Sequence, residues 1–165
     1  MLAHDGRLSG RLQEAATRAP WLRRAAIPLA RSGDSWLWLI VIVVGALLVG
    51  PSAYGLAARL TIAIVATALV VKACKLLARR ARPEGDWGGS YRRSDPHAFP
   101  SGHSTRAFML AVLGFAYGPA WLGPLLVAWA VLVAASRVAL GVHYLLDVTA
   151  GAVLGVVCGL VTLLI

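Results

Sequence analysis

The chain has 165 residues, enough for one domain, of which 59% are hydrophobic and 14% charged. With a mean hydropathy of +0.74, this composition excludes an ordinary soluble globular protein and points to a polytopic membrane protein. A formal net charge of +9 would suggest nucleic acid in a soluble chain. In an apolar one it implies no nucleic-acid partner, and points instead to anionic membrane lipids, a cytoplasmic face or a phosphate-bearing substrate.

Residues 1–34 read as a basic segment. Arg7, Arg11, Arg18, Arg23, Arg24 and Arg31 interleave with Leu8, Leu12, Ala15, Ala19 and Leu22 at roughly helical spacing, the pattern of an amphipathic helix on a membrane surface. Pro20 and Pro28 are expected to interrupt or kink it, with Trp21 at headgroup depth. Charges run throughout, so no secretory signal is expected. Gly33-Asp34-Ser35 reads as a helix start, and residues 35–165 as the transmembrane domain.

The expected spans begin with Trp36–Val49, which ends at the break Gly50-Pro51-Ser52. Ala53–Ala78 follows, with Arg59, Lys72 and Lys75 as its charges. Residues 79–100 are rich in Arg, Gly and Pro and form the one long polar loop. Pro100-Ser101-Gly102-His103 opens a third helix to about Tyr117. The fourth is expected over Pro124–Val138 and, after Gly141, the fifth over Val142–Ile165. The fold class is therefore all-α, a membrane bundle of about five spans. Cys74 and Cys158 lie in apolar runs and suggest neither a disulfide nor a metal site. The basic segments 1–34 and 79–100 and the Arg137–His143 turn fall on one face, which the positive-inside rule makes cytoplasmic.

Three polar clusters sit at helix ends on that face: Lys75-x6-Arg82-Pro83, Pro100-Ser101-Gly102-His103, and Ser136-Arg137-x5-His143-x3-Asp147. His143 and Asp147 are four apart, so a helix would put them on one side, where a carboxylate can fix an imidazole's tautomer. Lys75, Arg82 and Arg137 are cations of the kind a phosphate dianion needs. Gly102 permits close backbone approach, and the helix start behind it offers N–H groups to an anion. Singly, each has a plainer account: Lys75 and Arg82 as interface anchors, Ser101 as a helix N-cap, His103 as a packed interfacial histidine, His143 and Asp147 as a helix-end ion pair.

Together, in this order and spacing, the clusters closely resemble the signatures of the type 2 phosphatidic acid phosphatase superfamily, over about residues 70–160. The resemblance implies a membrane-embedded lipid phosphatase. In it His143 is the nucleophile that forms a phosphohistidine, Asp147 orients it, and His103 serves as acid and then base. Lys75, Arg82, Ser101, Gly102 and Arg137 bind the phosphate, with no metal and no cofactor. The implied partner is a lipid-linked phosphate, phospholipid or polyprenyl. The Ala-, Arg-, Gly- and Val-rich composition is compatible with an actinobacterium, where small family members resemble a decaprenylphosphoryl-5-phosphoribose phosphatase of cell-wall arabinan synthesis, acting at the inner (plasma) membrane. A phosphotransferase, a vanadium haloperoxidase and an inactive lipid-binding protein remain open. Membrane members commonly have six spans, with the first motif ending the third; here it ends the second, and self-association would cover the helix faces left bare. Lys72, Arg79, Arg80, His97 and Arg106 match no motif position and are expected to take no direct catalytic part. Asp86, Trp87, Tyr91, Arg92 and Arg93 are candidates for headgroup recognition.

Overall fold

The structure, a computed structural model, describes residues 2–84 and 95–165. Asp86, Trp87, Tyr91, Arg92 and Arg93 lie outside the described residues. The described elements are helices: α1 (Leu2–Arg18), α2 (Pro20–Ser32), α3 (Ser35–Val49), α4 (Tyr54–Ala78), α5 (Gly102–Tyr117), α6 (Leu122–Ala139) and α7 (Leu145–Leu164), with one 3-10 turn at Pro51–Ala53. Pro20 starts α2, where its missing N–H costs nothing. Pro28, expected to interrupt the segment, lies inside α2. The packing of Ala26, Ile27 and Ala30 against Leu140 and Val142 offsets the lost backbone bond. The sequence set α6 two residues late and α7 three residues early. Leu122 and Gly123 join α6 because Leu122 N–H already bonds the Pro119 carbonyl, whereas Val142–Tyr144 form a turn folded back on the Arg137 carbonyl.

Helices cover all five expected segments, but among the described residues fewer are long and apolar enough to span a bilayer singly. By length and composition three qualify: Pro51–Ala78, α6 and α7, or four if α2 and α3, bent by 57°, count as one span. Helix α5 has 16 residues and is about 24 Å long at 1.5 Å per residue, short of a hydrocarbon core of about 30 Å. It is short because its first turn belongs to the polar site. It is also the most enclosed helix, burying Ala107, Met109, Leu110, Ala111 and Leu113. Leu48, Leu77, Val153 and Leu164 are among the many exposed apolar side chains, a surface suited to lipid and not to water.

Helices α5 and α7 run parallel in direct contact along three glycines one turn apart. A Cβ at Gly151 would lie 2.7 Å from the Ser101 carbonyl oxygen, one at Gly155 2.2 Å from that of Thr105, and one at Gly159 2.7 Å from Val112 Cβ. Small residues at this spacing let two backbones close to a distance no side chain permits, a common solution where lipid supplies no hydrophobic drive. The Ser104 hydroxyl donates to the Val148 carbonyl at 2.7 Å, and Ser101 N–H to that of Asp147 at 3.0 Å, fixing the register. The consequence is functional: the N-termini of α5 and α7 are neighbours at the same end of the bundle.

Gly155→Leu should therefore be destabilising by about 3 kcal/mol and reduce the thermal midpoint in detergent. Gly45→Leu, at a position with nothing within 4 Å of an added Cβ, should leave that midpoint nearly unchanged.

Candidate active site

Lys75, Arg82, Gly102, His103, Arg137 and His143 line one cavity of about 380 Å³. Six of the eight residues singled out in the sequence thus meet around a single space. Ser101 and Asp147, both fully buried, stand behind its wall. Ser101 is the N-cap of α5, its hydroxyl accepting weakly from Ser104 N–H at 3.5 Å.

Helix α4 delivers Lys75 from its last turn. Arg79 then adopts φ +46°, its N–H on the Lys75 carbonyl, and ends the helix with a left-handed residue. The following stretch is extended and pairs Ala81 with His97. In extended backbone, alternate side chains share a face, so Arg80 and Arg82 both reach the start of α7. Arg82 Nη1 donates to the Val142 carbonyl at 2.9 Å and lies 3.1 Å from His143 Nε2. A guanidinium only donates, so Nε2 accepts and the ring proton is assigned to Nδ1, facing Asp147.

Gly141, at φ +67°, makes the turn between α6 and α7, and the side chain of Gln13 occupies the space where a Cβ would stand. His143 is 2% exposed. Burial, then the charges of Arg137, Arg82 and Lys75, hold its imidazole well below the ordinary range, so it is neutral near pH 7. Asp147 Oδ2 lies 3.6 Å from Nδ1, near enough for charge but too far for a hydrogen bond. That oxygen accepts from Tyr144 N–H at 2.8 Å, closing the helix start, and Oδ1 accepts from Arg80 Nη1 at 2.7 Å.

Arg80, matched to no motif, is thus the main cationic partner of Asp147. Its other arm donates to Asp5 at 2.6 Å and its guanidinium stacks 4.3 Å over the Tyr144 ring. Asp5 Oδ1 also accepts from Leu146 N–H at 3.0 Å, and Ser9 Oγ from Leu145 N–H at 2.9 Å. Helix α1 therefore caps α7. Two more acids escaped the sequence reading. Asp34 Oδ1 is 2.7 Å from His103 Nε2. Asp95 accepts from Lys75 and, at 2.8 Å, from Arg82 Nη2. Burial opposes the Asp95 charge, but the hydrogen bond from Lys75 and the charges of Lys75 and Arg82 prevail and hold its carboxyl below the usual range. One carboxylate oxygen, Asp95 Oδ2, thus already rests on two of the cavity's cations. Only the R-x-R alternation of Arg80 and Arg82 was visible beforehand; the acids come from remote segments.

These features define an integral membrane protein with a cation-lined cavity built at two helix N-termini and flanked by two histidines. The PAP2 superfamily description matches residues 56–165, and the chain belongs to that superfamily. A stretch of 60 residues is 42% identical to YbjG of Escherichia coli K12, named as a candidate undecaprenyl-diphosphatase; it covers 36% of this chain and 30% of that one. The fold is similar to crystal structures of Aquifex aeolicus LpxE (TM-score 0.77, 24% identity, 96% of this chain and 94% of that one). It is also similar to a transmembrane PAP2-type phosphatidylglycerolphosphate phosphatase from Bacillus subtilis (TM-score 0.76, 23% identity, 95% and 83%).

Arg80→Met would leave Asp147 and Asp5 without their cation. Breaking one side of such a buried arrangement costs roughly 3–5 kcal/mol, and Asp147→Asn in the same background should return part of it. A double-mutant cycle on thermal unfolding in detergent measures both.

Proposed function

We propose that the protein is a membrane phosphatase that hydrolyses a lipid-linked phosphate monoester through a phosphohistidine on His143. The observation that carries this reading is the meeting of Lys75, Arg82, Arg137, His103 and His143 around one cavity. Its cations are charge-matched to a phosphate dianion, and the Asp95 carboxylate rests on two of them. A substrate phosphate would displace that carboxylate and take over its hydrogen bonds.

In the first step His143 Nε2 attacks phosphorus and forms the P–N bond. The P–O bond to the leaving group breaks, and His103 supplies the proton that the departing oxygen takes. In the second step His103 accepts a proton from water, the water oxygen attacks phosphorus, and the P–N electron pair returns to His143. Arg82, Lys75 and Arg137 meet the charge on the equatorial oxygens, as phosphoryl transfer demands, without a metal ion. Asp147 stabilises the Nδ1–H side of His143 as its ring becomes cationic.

Ala68 and Val71 extend the cavity wall from its charged end along α4, which suits a headgroup with an apolar tail. The substrates in the names of similar proteins, an undecaprenyl diphosphate and a phosphatidylglycerolphosphate, support polyprenyl and glycerolipid phosphates as candidates, with decaprenylphosphoryl-5-phosphoribose beside them. Arg7, Arg11, Arg18, Arg23, Arg24 and Arg31 belong to the segment that supplies Asp5 and Asp34 to the site, and Arg79 follows the helix that supplies Lys75. They favour a cytoplasmic orientation in a bacterial inner membrane.

Purified protein in detergent should release phosphate from at least one such lipid. His143→Ala should reduce turnover by about 10³-fold or more and abolish the acid-labile phosphoenzyme. Asp147→Asn should reduce kcat with little change in KM. Vanadate should inhibit and a chelator should not. Loss of activity with a chelator, or a phosphoenzyme that survives in His143→Ala, would overturn the mechanism.

A further inference from the structure

The corner between α2 and α3 touches the site. A Cβ on Gly33 would lie 3.1 Å from His103 Cδ2 and 3.1 Å from Val133 Cγ1, so backbone and imidazole are in close contact. The corner is held from several sides. Trp38 Nε1 donates to the Ser32 carbonyl and Trp129 Nε1 to the Ser32 hydroxyl, both at 2.9 Å, while Arg106 donates to the Gly33 carbonyl. The two indoles pack with centroids 5.0 Å apart. Asp34 occupies the N-cap of α3, the position where an aspartate ordinarily accepts from the helix's own N–H groups. It makes no such bond. Its Oδ1 is instead 2.7 Å from His103 Nε2, and its Oδ2 accepts from Trp36 Nε1 at 3.3 Å.

We propose that Asp34 is a positioning residue for His103, forming a second histidine–carboxylate pair opposite His143 and Asp147. An ionised carboxylate only accepts, so His103 carries its proton on Nε2 and leaves Nδ1 to exchange protons with the ligand. With both nitrogens protonated the ring gives the Nδ1 proton to the leaving oxygen; with Nδ1 bare it takes one from water. Burial, then the charge of Arg137, holds the imidazole below its ordinary range, while the hydrogen bond and charge of Asp34 oppose that shift and favour the imidazolium needed in the first step. This rests on the reading of His103 as the general acid.

The test compares two substrates sharing a dodecyl tail, dodecyl phosphate and a dodecyl-substituted nitrophenyl phosphate. The nitrophenolate leaves without a proton, whereas the alkoxide needs one. The ratio of kcat for the two, measured within one preparation, is independent of how much protein is folded. Asp34→Asn should reduce turnover of dodecyl phosphate by about 10–100-fold and that of the nitrophenyl ester by less than about 3-fold, with Asp34→Glu recovering part of the loss. His103→Ala should show the same bias, larger. A biased His103→Ala with an unbiased Asp34→Asn would overturn the role of Asp34 alone. An unbiased His103→Ala would overturn the acid role of His103, and this proposal with it.

Discussion

The arrangement depends first on how closely α7 approaches α5. Three glycines remove side chains from one stripe of α7, and the Ser101 and Thr105 carbonyl oxygens of α5 fill the space. Helices carrying ordinary side chains stand about 8–10 Å apart, whereas this stripe lets the backbones touch and sets the turn at His143 beside the turn at Ser101. Brought together, the two helix starts direct their unpaired N–H groups and positive dipole ends to one end of the bundle. A positive electrostatic environment follows from backbone geometry before any cationic side chain is added.

The side chains then create a problem of like charge. Lys75, Arg82 and Arg137 are each less than a tenth exposed and line the same cavity, where their mutual repulsion is poorly screened. Three features relieve it. His143 stays neutral, since burial and those same cations suppress its protonation. Asp95 lends a carboxylate to Lys75 and Arg82. Arg80, two residues before Arg82, is drawn away to Asp147 and Asp5. One carboxylate against three buried cations leaves the cavity a surplus of positive charge, which a dianion would meet more fully than a monoanion.

The catalytic candidates were legible because phosphoryl chemistry needs particular groups at helix ends, and short fixed offsets such as His143 to Asp147 survive in one dimension. The helical membrane class was legible from hydropathy. What was not legible involved contacts between distant segments: His103 with Asp34 across 69 residues, Arg80 with Asp5 across 75. Neither partner has an unusual neighbourhood in the sequence; Asp34 looked like a helix cap, which is its position though not its bonding. Counting spans by hydropathy and by helix length gives different numbers for a related reason. Hydropathy marks apolar segments, but α5 is shortened by the polar work of its first turn, and α2 and α3 bend at the corner that carries Asp34. The glycine stripe at Gly151, Gly155 and Gly159 stood in plain view at helical spacing. Its meaning depends on which helix faces it.

The N-terminal segment is joined to the site. Read from charge alone it is a basic helix at the membrane surface, incidental to the site. In the structure α1 satisfies two of the orphan N–H groups of α7 through Ser9 and Asp5, Asp5 holds the far arm of Arg80, and the corner after α2 holds His103. These are acceptor contacts, made by acids and a hydroxyl, to a site otherwise dominated by donors. A polar site at a bundle end must be covered by something that can accept hydrogen bonds, and a lipid-facing helix offers few such groups. An amphipathic helix can turn its basic residues outward to headgroups and its few acids inward. On that argument the basic composition of residues 1–34 and their acidic contacts follow from one requirement.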